Sequence, residues 1–333
     1  MLGFDFEEER IKQEIVRLGS KRVLLQMPQG LKPEATKIAQ AVEALGAVAI
    51  ISSDPCYGAC DIAFSEAELL GADLIVHFGH VKMVKQSKIP SIYVESHARI
   101  EIESAIQQAL PFLINYNKIG LTTSIQHIEA LNQAKQLLTK AGKIVQIGDA
   151  AQLPHAGQVI GCNYSNAKTI ADQVDAFLFI GGGIFHALGI VLGTSKPTII
   201  ADPYDNRAYS ITDEAQKLLK QRYASIQEAK DAKTFGILIG LKPGQKHLDD
   251  ALKTKALAEK SGRAAFLLAA REITPDALIE FPSIDGYVNT ACPRISLDAP
   301  GKFKKPILTI NEFMVASGEA SWESMLKKGL FEN

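Results

Sequence analysis

The sequence predicts an α/β protein made of three repeated α/β domains, each with a mostly parallel sheet, arranged around a common centre. Three observations lead there. Continuous apolar runs rich in Val, Ile and Leu alternate with helix-length patterns along the whole chain, as strands of a parallel sheet covered on both faces do. The alternation restarts twice, giving units of about 100 residues each. Aspartates then recur at matching places in the three units and cysteines at matching places in the first two, while the third unit's Cys292 is not a copied position.

In the first unit residues 23–25 form a strand, Pro28-Gln29-Gly30 turns the chain, and a helix opens near Pro33. Ile38, Ala39, Val42 and Leu45 share one face of that helix and Gly46 ends it, with proline just inside the start and glycine past the end. Strands follow at 48–51, 74–76 and 92–94. The second unit repeats the order: a strand at 119–121, a helix carrying Ile128, Leu131, Ala134 and Leu138 up to Gly142, and strands at 144–145, 177–180 and 198–200. The third has a strand at 235–239, a helix from 248 to 262, a strand at 264–268, a helix capped by Thr274-Pro275, and strands at 287–288 and 307–308. Boundaries fall near residues 105 and 220, so the domains are expected at 1–105, 106–220 and 221–333. No Pro/Ser-rich linker separates them, which implies tight packing.

Composition excludes several classes. Lys+Arg 36 against Asp+Glu 37 leave a net charge of −1 over 333 residues, so no basic field exists for nucleic acid or an anionic membrane. At 47% hydrophobic and 22% charged the chain is ordinary for a globular protein. Four cysteines are no disulfide scaffold, and residues 1–14 do not resemble a signal peptide; a reducing, cytoplasmic setting is expected. Residues 176–195 are uncharged and long enough to span a bilayer. Gly181, Gly182, Gly183, Gly189, Gly193 and His186 make that stretch a buried strand, a glycine loop and a short helix instead.

The repeat carries the chemistry. Asp73 and Asp175 each precede the third strand of their unit, and the 102 residues between them also separate Cys60 from Cys162. Asp285 takes that place in the third unit, with Cys292 seven residues after it; seven after Asp73 is His80. Both kinds of cysteine position are loops following strands, the rim where open parallel sheets bind ligands. Three units around one centre bring a cysteine from each to one place. The plain alternative is three unrelated buried thiols, but each cysteine sits beside glycine or proline: Tyr57-Gly58-Ala59-Cys60, Gly161-Cys162-Asn163 and Ala291-Cys292-Pro293-Arg294. Structural zinc wants local CxxC pairs, and there are none. Iron–sulfur clusters accept thiolates far apart in sequence, and a cubane held by three leaves one iron open. The local run C-x3-C-x2-C is half present: Cys56 and Cys60 fill two places and Ala63 the third. Cys56 is therefore expected to stand aside.

Gly-Leu-Lys after Pro28-Gln29, Asp54-Pro55-Cys56-Tyr57-Gly58-Ala59-Cys60-Asp61, Gly161-Cys162 and Asn289-Thr290-Ala291-Cys292-Pro293-Arg294 resemble, in order along nearly the whole chain, the archaeal diphthamide synthase family, the 2-(3-amino-3-carboxypropyl)histidine synthases. The resemblance implies a transferase with a 4Fe–4S cluster held by Cys60, Cys162 and Cys292. It implies non-standard radical S-adenosylmethionine chemistry, in which the bond from sulfur to the γ-carbon breaks and the 3-amino-3-carboxypropyl group joins a histidine of translation elongation factor 2. It also implies a homodimer and a reductant.

Further contacts follow from the chemistry of such a substrate. Arg294 can bind its carboxylate bidentately, or pair with a nearby acid. Gly181, Gly182 and Gly183 offer backbone amides or simply a tight turn; the run lacks GxGxxG and a Walker lysine. Gln29 and Gly30 lie on the first rim turn, and His80 matches the place of Cys292. The remaining histidines (His77, His97, His127, His155, His186 and His247) form no HxxxH or HxH pair, so no metal site is expected there. Two other readings stay open: a dehydratase–cyclase like quinolinate synthase, also three α/β domains on one cluster, and a cofactor-free α/β module that binds a metabolite.

Overall fold

Each of the three alternations closes into its own sheet, and the three sheets share one strand order. The structure is a computed structural model and describes residues 3–84, 88–298 and 300–330. In the first sheet β1 (Arg22–Gln26), β2 (Val48–Ile51), β3 (Leu74–Phe78) and β4 (Ser91–Val94) pair in parallel in the order β2-β1-β3-β4. The second contains β5 (Lys118–Thr123), β6 (Ile144–Gln146), β7 (Ala176–Ile180), β8 (Thr198–Asp202) and β9 (Arg207–Ser210), ordered β9-β8-β7-β5-β6 with β9 antiparallel. The third, β10 (Thr234–Gly240), β11 (Ala264–Ala270), β12 (Gly286–Asn289) and β13 (Ile307–Thr309), runs β11-β10-β12-β13, all parallel. A further antiparallel pair joins Gly3–Phe4 to Ala98–Arg99.

Backbone packing divides the chain into two compact units. One comprises Met1–Ile100, Ile125–Glu129 and Lys242–Gly244 and holds the first sheet; the other comprises Glu101–Ser124, Ala130–Leu241 and Gln245–Asn333 and holds the second and third. In the second unit Phe177, Phe179 and Ile200 belong to the same apolar core as Phe235, Ile237, Leu308 and Phe313.

The recurring aspartates have a physical cause. The first strand of each sheet begins with backbone N–H groups that no neighbouring strand accepts from. Asp73 accepts from Lys21 and Arg22 (2.8 and 3.2 Å), Asp175 from Asn117 and Lys118 (2.9 and 2.7 Å), and Asp285 from Lys233 and Thr234 (3.0 and 2.9 Å). One carboxylate at the foot of the third strand caps the first. A glycine in the first strand recurs for a different reason. Gly120 is in register with Phe177 and Gly236 with Tyr287; an added Cβ would lie 2.4 and 2.7 Å from those rings. The aromatic ring of the third strand occupies that space.

Two expectations change. Ile38, Ala39 and Val42 are buried on the helix Ala35–Glu43, but Leu45 is 39% exposed. The helix ends before it, and Pro33 lies in a preceding 3₁₀ turn, Gln29–Glu34. The boundary expected near 220 falls inside a 19-residue helix, Thr212–Lys230. Its buried stripe is Ala215, Leu218, Arg222, Ile226 and Ala229, so an arginine occupies a core position and interrupts the apolar period.

The uncharged stretch 176–195 resolves into β7, a turn and the helix Phe185–Thr194. Among the described residues no helix is long and apolar enough to cross a membrane.

Candidate functional site

In the first unit the loop after β2 carries Cys56, buried, and Cys60, half-buried. Two lysines hold this loop. Lys32 Nζ, on the 3₁₀ turn, donates to the carbonyls of Ser53 and Asp54 (2.7 and 2.8 Å). Lys242, 5% exposed, faces the Asp61 carboxylate at 3.6 Å and stands 4.1 Å over the Tyr57 ring, an ion pair and a cation–π contact in one place. The Gly244 N–H donates to the Cys60 carbonyl at 2.8 Å. A Cβ on Gly244 would come 2.6 Å from that of Cys60, so only glycine lets the segment cross here. Both lysines belong to a Gly-Leu-Lys-Pro sequence, at 30–33 and 240–243. That internal repeat is a signal in the sequence that the cysteine spacing alone does not reveal.

Behind the loop, Gln26 is buried and fully used: Nε2 donates to the Asp61 carbonyl (2.6 Å), and Oε1 accepts from the Ala63 N–H (3.0 Å) and lies 2.8 Å from His77 Nδ1. His77 Nε2 lies 3.0 Å from His80 Nδ1. Cys56, His77 and His80 each present one ligand atom within 4.8 Å of the others. Desolvation holds His77 well below its ordinary pKa, with His80 adding to the effect, and brings His80 down to about 4. Burial, helped by Asp61, pushes the Cys56 thiol up to about 12. The expectation that His77 takes part in no metal-type grouping is thus corrected. The pattern is HxxH, and the turn at Gly79 (φ 80°) folds His80 back beside His77.

In the second unit Cys162 is exposed in its glycine loop and Cys292 is half-buried after β12. The Asn289 side chain shapes the latter loop, donating to the Cys292 carbonyl (2.7 Å) and accepting from the Ala291 N–H (3.0 Å). Tyr164 lies close enough to feel both thiols, together with Arg294 and Asp298; burial drives its pKa above the ordinary range. Phe185 links the two loops. Gly161 packs on its ring, where a Cβ would stand at 2.4 Å, and the Arg294 guanidinium stacks over it at 3.8 Å. Arg294 is 6% exposed and pairs with Asp298 at 2.5 Å, yet its Nε and Nη1 have no hydrogen-bond partner among the described residues. With Nη2 held by Asp298, these two donors lie on different edges of the guanidinium, and each can reach a separate acceptor atom.

The other candidates stand on turns of their own. Gln29 and Gly30 are exposed at the start of the 3₁₀ turn. Gly181, Gly182 and Gly183 make the turn from β7 into the helix Phe185–Thr194; Gly183 has φ 72°, and the Tyr204 ring lies 3.0 Å from where a Gly182 Cβ would be.

The family model for diphthamide synthesis proteins matches residues 27–326. The chain is 37% identical over 316 residues to 2-(3-amino-3-carboxypropyl)histidine synthase of Pyrococcus horikoshii, covering 94% of this chain and 91% of that one. This chain belongs to the diphthamide synthesis family. Subunit 1 of the same synthase from Gallus gallus is 30% identical over 333 residues, covering 96% of this chain and 78% of the relative. The crystal structure of Dph2 from Pyrococcus horikoshii with a 4Fe-4S cluster matches with a TM-score of 0.88 at 36% identity, over 96% of this chain and 93% of that one. Membership of the diphthamide synthesis family decides against the quinolinate synthase-like reading and the cofactor-free module.

Proposed function

We propose that this chain catalyses the first step of diphthamide synthesis, transferring the 3-amino-3-carboxypropyl group of S-adenosylmethionine to a histidine of translation elongation factor 2. The reading is carried by the 37% identity, over 94% of the chain, to a relative named for that synthase activity. The structural likeness to Dph2, whose structure holds a 4Fe-4S cluster, supports it.

Cys60, Cys162 and Cys292 would hold the cluster. Their chemistry fits: each is a cysteine outside any disulfide, in a loop that follows a parallel strand, and Cys162 and Cys292 both lie near Tyr164. Once bound, the cluster supplies the electron that breaks the sulfur to γ-carbon bond, giving methylthioadenosine and a 3-amino-3-carboxypropyl group with radical character. The chain's own side chains bind and orient. Arg294 offers the methionine carboxylate a charge and one of its two unpaired donors, Nε or Nη1, and Phe185 fixes the plane of that guanidinium. Gln29 and Gly30, and the amides of Gly181, Gly182 and Gly183, are available to the rest of the substrate. A second copy of the chain, a reductant and a cytoplasmic setting complete the reading.

The test is anaerobic. Protein reconstituted with iron and sulfide, reduced with dithionite and given S-adenosylmethionine should release methylthioadenosine; with elongation factor 2 present, one histidine of that protein should gain the mass of the group. Release of 5′-deoxyadenosine, or no cleavage by protein that holds its cluster, overturns the reading. Alanine at Cys60, Cys162 or Cys292 should each abolish iron retention, whereas Cys56→Ala should spare it.

A further inference from the structure

We propose that Cys56, His77 and His80 form a site for a divalent transition-metal ion of the zinc class, separate from the three cysteines assigned to the cluster. The ligand atoms already lie within 4.8 Å of one another, on β3, the turn that follows it and the loop after β2.

The hydrogen bonds determine which lone pairs are available. Gln26 Oε1 accepts from the Ala63 N–H while its Nε2 donates to the Asp61 carbonyl, so the orientation of that amide is settled from both ends. The His77 Nδ1 facing Oε1 must therefore carry the proton, and His77 Nε2 is a lone pair. A histidine whose other nitrogen donates to a fixed oxygen is the arrangement that orients metal-bound imidazoles. Without an ion, the His80 Nδ1–H donates to His77 Nε2 at 3.0 Å. With one, the His80 proton resides on Nε2 and both lone pairs converge. A zinc ion about 2.0–2.1 Å from each nitrogen in tetrahedral geometry requires that pair to open by roughly 0.3 Å.

The neutral imidazole is the form that ligates. The Cys56 thiol gives up its proton to solvent on coordination, as thiols do beside such a cation. Two imidazoles and one thiolate are a borderline-soft set that excludes calcium and magnesium. His80 is only partly buried, which leaves a route in and a fourth position for water. An ion here would tie the loop that carries Cys60 to the end of β3.

The experiment uses the cluster-loaded protein. It is incubated anaerobically with zinc sulfate and desalted, and zinc and iron are counted by mass spectrometry. The expected result is one zinc retained per chain with iron unchanged. Zinc-edge X-ray absorption should show one sulfur at about 2.3 Å and two nitrogens at about 2.0 Å. His80→Ala and Cys56→Ala should each abolish zinc retention; their iron content reports whether they fold, with His80→Gln and Cys56→Ser in reserve. Zinc that is not retained by the unmodified protein, is retained equally by the variants, or enters only as iron leaves, overturns the proposal.

Discussion

Two arginines are buried in the second unit and put to opposite uses. Arg222, 0% exposed, spends its donors inside the chain: Nε and one Nη on the two oxygens of Glu312 (2.7 and 2.6 Å), the others on the carbonyls of Ser296 (2.8 Å) and Ile307 (2.7 Å). Glu312 is equally buried and closes a capping box with Thr309. Arg294 stacks on Phe185 and pairs with Asp298, and two of its nitrogens have no hydrogen-bond partner among the described residues. An unpaired buried donor costs about 1–3 kcal/mol. Arg222 therefore serves the fold, and Arg294, with donors unmet among the described residues, is the one proposed to serve the substrate.

The contrast can be broken by substitution. Arg222→Met leaves the Glu312 carboxylate buried without its cation, so stability to urea should fall by about 3–5 kcal/mol. The pair Arg222→Met with Glu312→Leu should recover most of that. Methylthioadenosine formed per folded molecule should hardly change. A loss under about 1 kcal/mol for the single substitution would remove Arg222 as the structural pole of the comparison.

Lys242 is a third buried cation, in the first unit, and tests the same distinction beside Cys60. Its distance of 3.6 Å from Asp61 is long for a buried pair, so Lys242→Met should cost no more than about 3 kcal/mol. It should also lower iron content by loosening the loop around Cys60. Full iron content at reduced stability would limit Lys242 to folding alone.

Arg294→Met should give the converse of Arg222. Removing the buried cationic partner of a carboxylate is worth at least about 2 kcal/mol, so the KM for S-adenosylmethionine should rise roughly thirtyfold or more. Stability should move much less than in Arg222→Met. Arg294→Lys should not restore the KM, because an ammonium has neither the planar donor array nor the face that stacks on Phe185. An unchanged KM would reassign Arg294 to its Asp298 contact.

These differences mark how far the sequence was readable. The strands were legible because central parallel strands are buried on both faces, as Leu74–Phe78 and Ala176–Ile180 are at every residue. Asp73, Asp175 and Asp285 were legible because each meets the same backbone need at the same place. The helix Thr212–Lys230 was not, because Arg222 fills a position where the period calls for an apolar residue. Arg294 could be picked out by its place after Cys292, but not its spare donors, which depend on Phe185 arriving from another element. The Cys56, His77 and His80 cluster was hidden because one positive-φ glycine brings its members together.

At the exposed end of the scale, the strand-foot aspartates should give the smallest effects, and Asp175 shows their sign. The N–H of Lys118, then that of Asn117, holds its carboxyl below the ordinary value of 3.8. A carboxylate lowered by folding adds stability that is complete above the unfolded value; it is lost as pH falls through the folded one. Asp175→Asn should therefore lower the thermal midpoint slightly at neutral pH, and the two proteins should converge in acid once the native carboxylate is protonated. Asp73→Asn and Asp285→Asn should shift the neutral-pH midpoint in the same direction, since each carboxylate meets the same pair of strand-start amides. A deficit for Asp175→Asn that stayed constant down to the acid limit would mean that shape rather than charge makes the cap. The resemblance among the three sheets would then rest on packing alone.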